Sequence, residues 1–228
     1  MKKLVVILFL CCSIHVYSQG WSFEYSIGYG SYQLDDIKSI QSSIPGNYEL
    51  KETDCFPNHI THSIALGYDT GRHYFGSNFS YLTTGGRLHR ADYSGSYTVD
   101  MIMNGYRLGA FYRHYINTGF SPLSIYLQIS PGVLFSSLEI KEHVKVYSES
   151  AKENTELKGF GIYVEPTIGV KYRFSNCLQF SLGGGYEVDF PSKMKYSGQE
   201  ADTEAFWDGF RLYGGIIFVL PTHKKNTQ

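Results

Sequence analysis

Phe160-Gly161-Ile162-Tyr163-Val164-Glu165-Pro166-Thr167-Ile168-Gly169-Val170-Lys171-Tyr172-Arg173-Phe174 alternates in residue character along its whole length. Phe160, Ile162, Val164, Ile168, Val170, Tyr172 and Phe174 fall on one parity. Gly161, Tyr163, Glu165, Thr167, Gly169, Lys171 and Arg173 fall on the other. A period of two is that of a β-strand, whose successive side chains point to opposite faces. One face here is bulky and apolar. The other is mostly small or charged.

The same alternation recurs in seven more segments. The earliest spans about 21–33, where Trp21, Phe23, Tyr25, Ile27 and Tyr29 oppose Ser22, Glu24, Ser26, Gly28 and Gly30. Others are expected at about 60–69, 73–84, 100–115, 123–138, 178–190 and 206–220. Short links at 69–72, 116–122 and 175–177 alternate with long polar ones at 34–58, 85–99, 139–158 and 191–205. Eight strands in short–long alternation predict an all-β, antiparallel, up-and-down transmembrane β-barrel. It would have four long extracellular loops and three short periplasmic turns. In the first long loop Asp35 is placed to cap a brief helix carrying Ile37 and Ile40. Pro131 and Pro166 fall inside strands, where a missing N–H predicts a bulge at each.

Residues 1–18 read as a signal peptide: Lys2 and Lys3, the apolar run Leu4 to Cys12, then Val16 and Ser18 before Gln19. That places residues 19–220 as one barrel domain of the cell outer membrane and 221–228 as a polar C-terminal tail. A mean hydropathy of −0.21 does not oppose a membrane location, because half of each barrel strand faces a polar interior. The net charge of −1 and the lack of a basic stripe argue against nucleic acid as a partner.

Residue type decides which face looks outward. In a soluble secreted lipocalin-like barrel, the main alternative, the polar face meets water and should be rich in Lys, Glu and Thr. Here it is largely Gly, Ser and Ala with a few charges, as suits the narrow interior of eight strands. The expected inward charges balance: Glu24, Glu165, Glu187 and Asp189 against Arg107, Arg113, Lys171, Arg173 and Arg211. Buried charges persist when paired, so an ion network plugging the lumen is expected. Cys55 and Cys177 should lie at opposite ends of the barrel, too far apart to bridge.

The closing stretch Tyr213-Gly214-Gly215-Ile216-Ile217-Phe218-Val219-Leu220 is similar to the C-terminal signal that small outer-membrane barrels present to their assembly machinery. Over residues 20–220 the chain resembles the eight-stranded outer-membrane β-barrel family of Gram-negative bacteria. It departs in ending on Leu220 and a polar tail where the family ends on an aromatic. A leader cut before Gln19 is similar to those of Bacteroidetes-like secreted proteins. The resemblance implies outer-membrane lipid and the barrel assembly machinery as partners, and leaves an extracellular ligand or protein at the loops open.

Chemistry-bearing constellations are sparse. Cys55, His59 and His62, with His89 or Asp54, have spacing that metal ligands can have, but lack the four recognisable ligands of structural zinc. His62, Ser77 and Ser80 resemble the parts of a lipid A-modifying enzyme. However, Ser77 and Ser80 point to opposite faces and no acid stands beside His62. The expectation is a non-enzymatic barrel with no catalytic, metal or cofactor site. Loop tyrosines Tyr48, Tyr93, Tyr97, Tyr147 and Tyr196 are candidate contact residues.

Overall fold

The computed structural model describes residues 20–44, 50–93, 95–119, 122–147 and 149–221. The signal-peptide reading, Tyr48 and the 221–228 tail fall outside the residues whose side chains are described. In chain order the elements are β1 (Gly20–Gly30), α1 (Asp35–Ser43), β2 (Lys51–Cys55), β3 (His59–Asp69), β4 (His73–Asp92) and β5 (Gly95–Asn117). They continue with β6 (Leu123–Val146), β7 (Glu149–Arg173), β8 (Leu178–Pro191), β9 (Lys193–Tyr196), β10 (Gln199–Glu204) and β11 (Gly209–Pro221).

Eight of the strands close a ring. β1 pairs with β3 on one side and β11 on the other, from Gly20↔Pro221 to Gly30↔Arg211. β3 through β8 pair in sequence, and β8 returns to β11. Every neighbour is antiparallel. This is the eight-stranded up-and-down barrel that the alternation predicts, and closure leaves no free edge along its length. Phe160, Ile168 and Phe180 are 46%, 60% and 40% exposed and point away from the axis. With Phe23, Tyr29, Leu66, Phe75, Leu108, Leu127, Leu212 and Phe218 they make a continuous outer apolar belt. Among the described residues, neither Cys55 nor Cys177 is in a disulfide.

Three expectations need correction. First, segments 85–99 and 139–158 are strand rather than loop. β4 and β5 stay paired up to Asp92↔Gly95, and β6 and β7 up to Val146↔Glu149. A four-stranded sheet therefore stands above the barrel. β2 borders it through Lys51↔His89, and the β9–β10 hairpin borders it through Leu157↔Tyr196. The apolar inward residues of this rim, such as Leu88, Val99 and Leu157, are too widely spaced among polar ones to show the period-two signal. Correspondingly, β1 ends at Gly30 and β11 begins at Gly209. Residues 31–34 and 206–210 still exchange backbone bonds, such as Leu34 N–H to Phe206 O at 2.9 Å.

Second, neither proline makes a bulge. Pro166 keeps its place opposite Ile129 on β6, and the β7–β8 ladder lapses only between Val164↔Val188 and Thr167↔Gly185, in unchanged register. Pro131 behaves alike: opposite Val164 it is paired, and the β5–β6 ladder lapses between Gly109↔Gly132 and Tyr112↔Ile129. Each ring removes one donor on one side of the strand, and the ladder on the other side carries the register. Third, Asp35 is the first helical residue rather than the cap. Leu34, in the left-handed region at φ 44, precedes the helix without a side-chain cap bond. The carboxylates of Asp35 and Asp36 sit in the first turn, where the helix dipole favours them.

Pro166→Val restores the N–H that faces Tyr186 across β8. Denaturant unfolding of the folded protein should register a gain of about 1 kcal/mol, the net worth of one ladder bond. A loss would mean that something other than the missing donor holds the lapse open.

Candidate functional site

The inside of the ring is built in tiers. At the end bearing the short turns, Asp69 works twice. One carboxylate oxygen accepts from Gly71 N–H at 2.6 Å and shapes the turn; the other meets Lys171 Nζ at 3.3 Å. The Tyr115 ring lies 3.2 Å from the same ammonium. Above it, Arg113 pairs with Glu24 at 3.0 Å, bonds Gln128 at 2.6 Å and lies against the faces of Tyr126 and Tyr74. Glycine makes room for this tier: a Cβ on Gly169 would collide with the Tyr126 ring.

At mid-height Arg107 bridges Glu165 and Glu187, the latter at 2.7 Å, and stacks on Tyr163 at 4.2 Å. Arg211 also bonds Glu187 at 2.9 Å, donates to Trp207 O at 2.9 Å and faces Tyr32. The four cations Lys171, Arg113, Arg107 and Arg211 thus each meet a carboxylate and an aromatic ring. The carboxylates are Asp69, Glu24, Glu165 and Glu187. Pairing of this kind is what makes a buried charge tolerable, and cation–π contact adds to it where water is excluded. A cavity of about 50 Å³ remains beside Glu24, Ser63, Asn78, Arg107 and Glu165. It has room for water rather than for a solute.

The expected inward charges therefore converge, with two changes. Asp189 is not in an ion pair; its carboxylate accepts from Trp207 N–H at 2.8 Å. Arg173 ends β7, half-buried, outside these pairs. Asp69, at a position whose sequence suggests a surface turn, is buried and paired with Lys171. The only sign of it was an aspartate two residues before Gly71, a pattern that fits a turn equally well.

Of the upper tier, the sequence suggests only the brief helix carrying Ile37 and Ile40. Trp207, fully buried, stands inward above Arg211, with its indole N–H on Ser136 Oγ at 2.9 Å and its ring edge-on to Tyr32. Gly105 clears its path, since a Cβ there would come within 3.0 Å of the indole. Leu82, Leu88, Met101, Met103, Leu138 and Met194 pack around it, and α1 lies across the top with Ile37 buried and Ile40 half-buried. Gln41 ties α1 to β2 through Asp54 O at 2.6 Å. So the interior is not glycine, serine and ion pairs throughout. Its upper part is a hydrophobic core under a helical lid.

The other candidate residues stay apart. Cys55 ends β2 beside Gly86, and partial burial together with Glu52 pushes its thiol pKa up. His62 bonds the Tyr25 hydroxyl at 3.0 Å, and His59 opens β3 opposite Gly30. Ser80 points inward onto Ser63 at 2.7 Å while Ser77 faces out, so His62, Ser77 and Ser80 do not meet. Tyr93 and Tyr147 are exposed at the two hairpin tips and Tyr196 at the β9–β10 turn, whereas Tyr97 is half-buried and donates to Glu142 at 2.8 Å.

No family description and no curated protein matches this chain. Solved structures do. Neisserial surface protein A is 12% identical, with 89% of this chain and 97% of that one covered at a TM-score of 0.40. Ail of Yersinia pestis, solved with the heparin analogue sucrose octasulfate, is 11% identical over 88% and 97%, at 0.36. The N-terminal β-barrel domain of Pseudomonas aeruginosa OprF is 12% identical over 89% and 99%, at 0.35. These neighbours are small eight-stranded outer-membrane barrels. At such identity no ligand, substrate or partner carries across.

Glu187 is the joint of the charged column, because two arginines share it. Glu187→Gln should destabilise the barrel by about 3–5 kcal/mol, the cost of leaving buried charge uncompensated. The paired change Glu24→Met with Arg113→Met should be far milder. Urea titration of the folded protein in lipid vesicles compares them; equal losses would contradict the pairing account.

Proposed function

We propose that this chain is a non-enzymatic outer-membrane barrel of a Bacteroidetes-like Gram-negative cell. It closes its own lumen and carries an extended rim for contact outside the cell. One observation carries the reading: the apolar belt faces outward on all eight strands, while every tier inside is filled. A belt of Phe, Leu, Ile, Val and Tyr around a closed ladder suits acyl chains and would be an aggregation hazard in water. The leader at 1–18 agrees with export.

The filled lumen argues against solute passage. Ion pairs occupy the lower part and the Trp207 core occupies the mouth, so conduction would require both to open. Contact is the better use of what remains. The rim sheet is supported on a rigid cylinder, and its tips expose Tyr93 at 98% and Tyr147 at 76%, alongside Val146. Large rings held on short turns lose little freedom on binding, which suits them to recognition. The separation of His62, Ser77 and Ser80 gives a lipid-modifying reaction no assembled site.

Three measurements test this. Native membranes washed with carbonate should retain the protein, and the purified protein in planar bilayers should give no steady conductance. Release by carbonate would sink the membrane reading. A stable open channel would sink the sealed-lumen reading and leave the membrane one standing. Replacing 87–98 and 141–154 by short turns should leave insertion unchanged while removing any surface binding.

A further inference from the structure

A second histidine pair lies at the rim opposite Cys55, His59 and His62. His73 opens β4 directly after the 69–72 turn, and His114 is its cross-strand partner near the end of β5. Both side chains lie on the outer face of the wall. Their Nδ1 atoms are 3.4 Å apart, with ring centroids 5.1 Å apart. The Tyr112 hydroxyl stands 2.8 Å from the same Nδ1 of His73.

Hydrogen bonding cannot use this arrangement fully. The Nδ1 of a neutral imidazole offers one lone pair or one hydrogen, not both. Here two groups approach it, the Tyr112 hydroxyl and His114 Nδ1. If the hydroxyl donates to the lone pair, His114 is left either competing for it or facing it with a second lone pair. At 3.4 Å the nitrogen–nitrogen contact is a long hydrogen bond at best.

The same distance fits a shared cation. Two imidazole nitrogens, each about 2.0–2.1 Å from a tetrahedral zinc ion, stand about 3.3–3.4 Å apart. We propose that His73 and His114 form a surface site for a borderline divalent cation such as Zn²⁺, at the rim that carries the short turns. Both Nδ1 lone pairs point to one ion, and the oversubscription at His73 disappears. Among the described residues no third His, Cys, Asp or Glu joins them. The remaining positions go to water, with the Tyr112 hydroxyl within reach of that shell. Imidazole selects Zn²⁺, Cu²⁺ or Ni²⁺ over Mg²⁺ and Ca²⁺. The β-ladder already holds the two strands in register, so little need be ordered on binding.

The test uses the full chain folded in detergent micelles, titrated calorimetrically with Zn²⁺ and separately with Mg²⁺. One Zn²⁺ should bind at this pair, and Mg²⁺ should not. His73→Ala and His114→Ala should each weaken Zn²⁺ more than the roughly 10–100-fold typical of outer-shell changes. His59→Ala with His62→Ala should leave that affinity unchanged. Zn²⁺ should raise the unfolding temperature of the parent protein but not of either single variant. Equal Zn²⁺ affinity in the parent and in the His73→Ala/His114→Ala double variant overturns the proposal. So does loss on His59→Ala/His62→Ala alone. None of these readouts depends on whether the barrel resides in a membrane.

Discussion

The β1–β11 ladder is the constraint from which the other features follow. Eleven residue pairs, from Gly20↔Pro221 to Gly30↔Arg211, join the first strand to the last. Once they meet, the ladders run around the barrel wall, lapsing among the described residues only beside Pro131 and Pro166, and the ring has no edge. Closure also fixes sidedness. With a period of two, all residues of one parity face the axis, and a slip of one residue would exchange the faces of a whole strand. Glu24, Arg107, Arg113, Glu165, Lys171, Glu187 and Arg211 are then committed to a narrow interior, and Phe160, Ile168 and Phe180 to the outside.

That commitment explains why the charges are stacked as they are. A lone charge inside so narrow a cylinder costs several kcal/mol, more than a domain of this size can spare. Each cation therefore has a carboxylate at hydrogen-bond distance and a tyrosine ring beside it, from Lys171 and Asp69 up to Arg211 and Glu187. Above Arg211 the wall continues as the rim sheet, and polar pairing gives way to Trp207, the methionines and α1. The two materials meet at Arg211, which bonds both Glu187 and the Trp207 carbonyl.

Much of this was legible in the residue order, for reasons that also mark where legibility stopped. Strands inside the belt have one apolar and one polar face, and the contrast reveals them. Above the belt, Glu149 to Glu156 is polar on both faces, so β7 looks like loop although it is paired throughout with β6. The prolines were visible, but whether a missing donor produces a bulge or a lapse depends on the neighbouring ladder. Glu24 and Arg113 could be assigned to the interior by parity; that they meet each other could not, since partners across the lumen follow from tilt and stagger. Trp207 stands at the start of the 206–220 segment, on the inward parity of Arg211, but the room for its ring comes from Gly105 on a distant strand. His73 and His114 sit in separate strands, and only register makes them neighbours.

The chain holds just two tryptophans, and they fall on opposite sides of the wall. Trp21 is 55% exposed in the outer belt and Trp207 is fully buried beneath α1. Fluorescence quenching by brominated-acyl lipids, measured on reconstituted Trp21→Phe and Trp207→Phe proteins, therefore reads the sidedness of the barrel directly. Quenching when only Trp21 remains, with little when only Trp207 remains, is the result predicted. Strong quenching of Trp207, or a Trp21 reached by aqueous iodide but not by bromolipid, would contradict it.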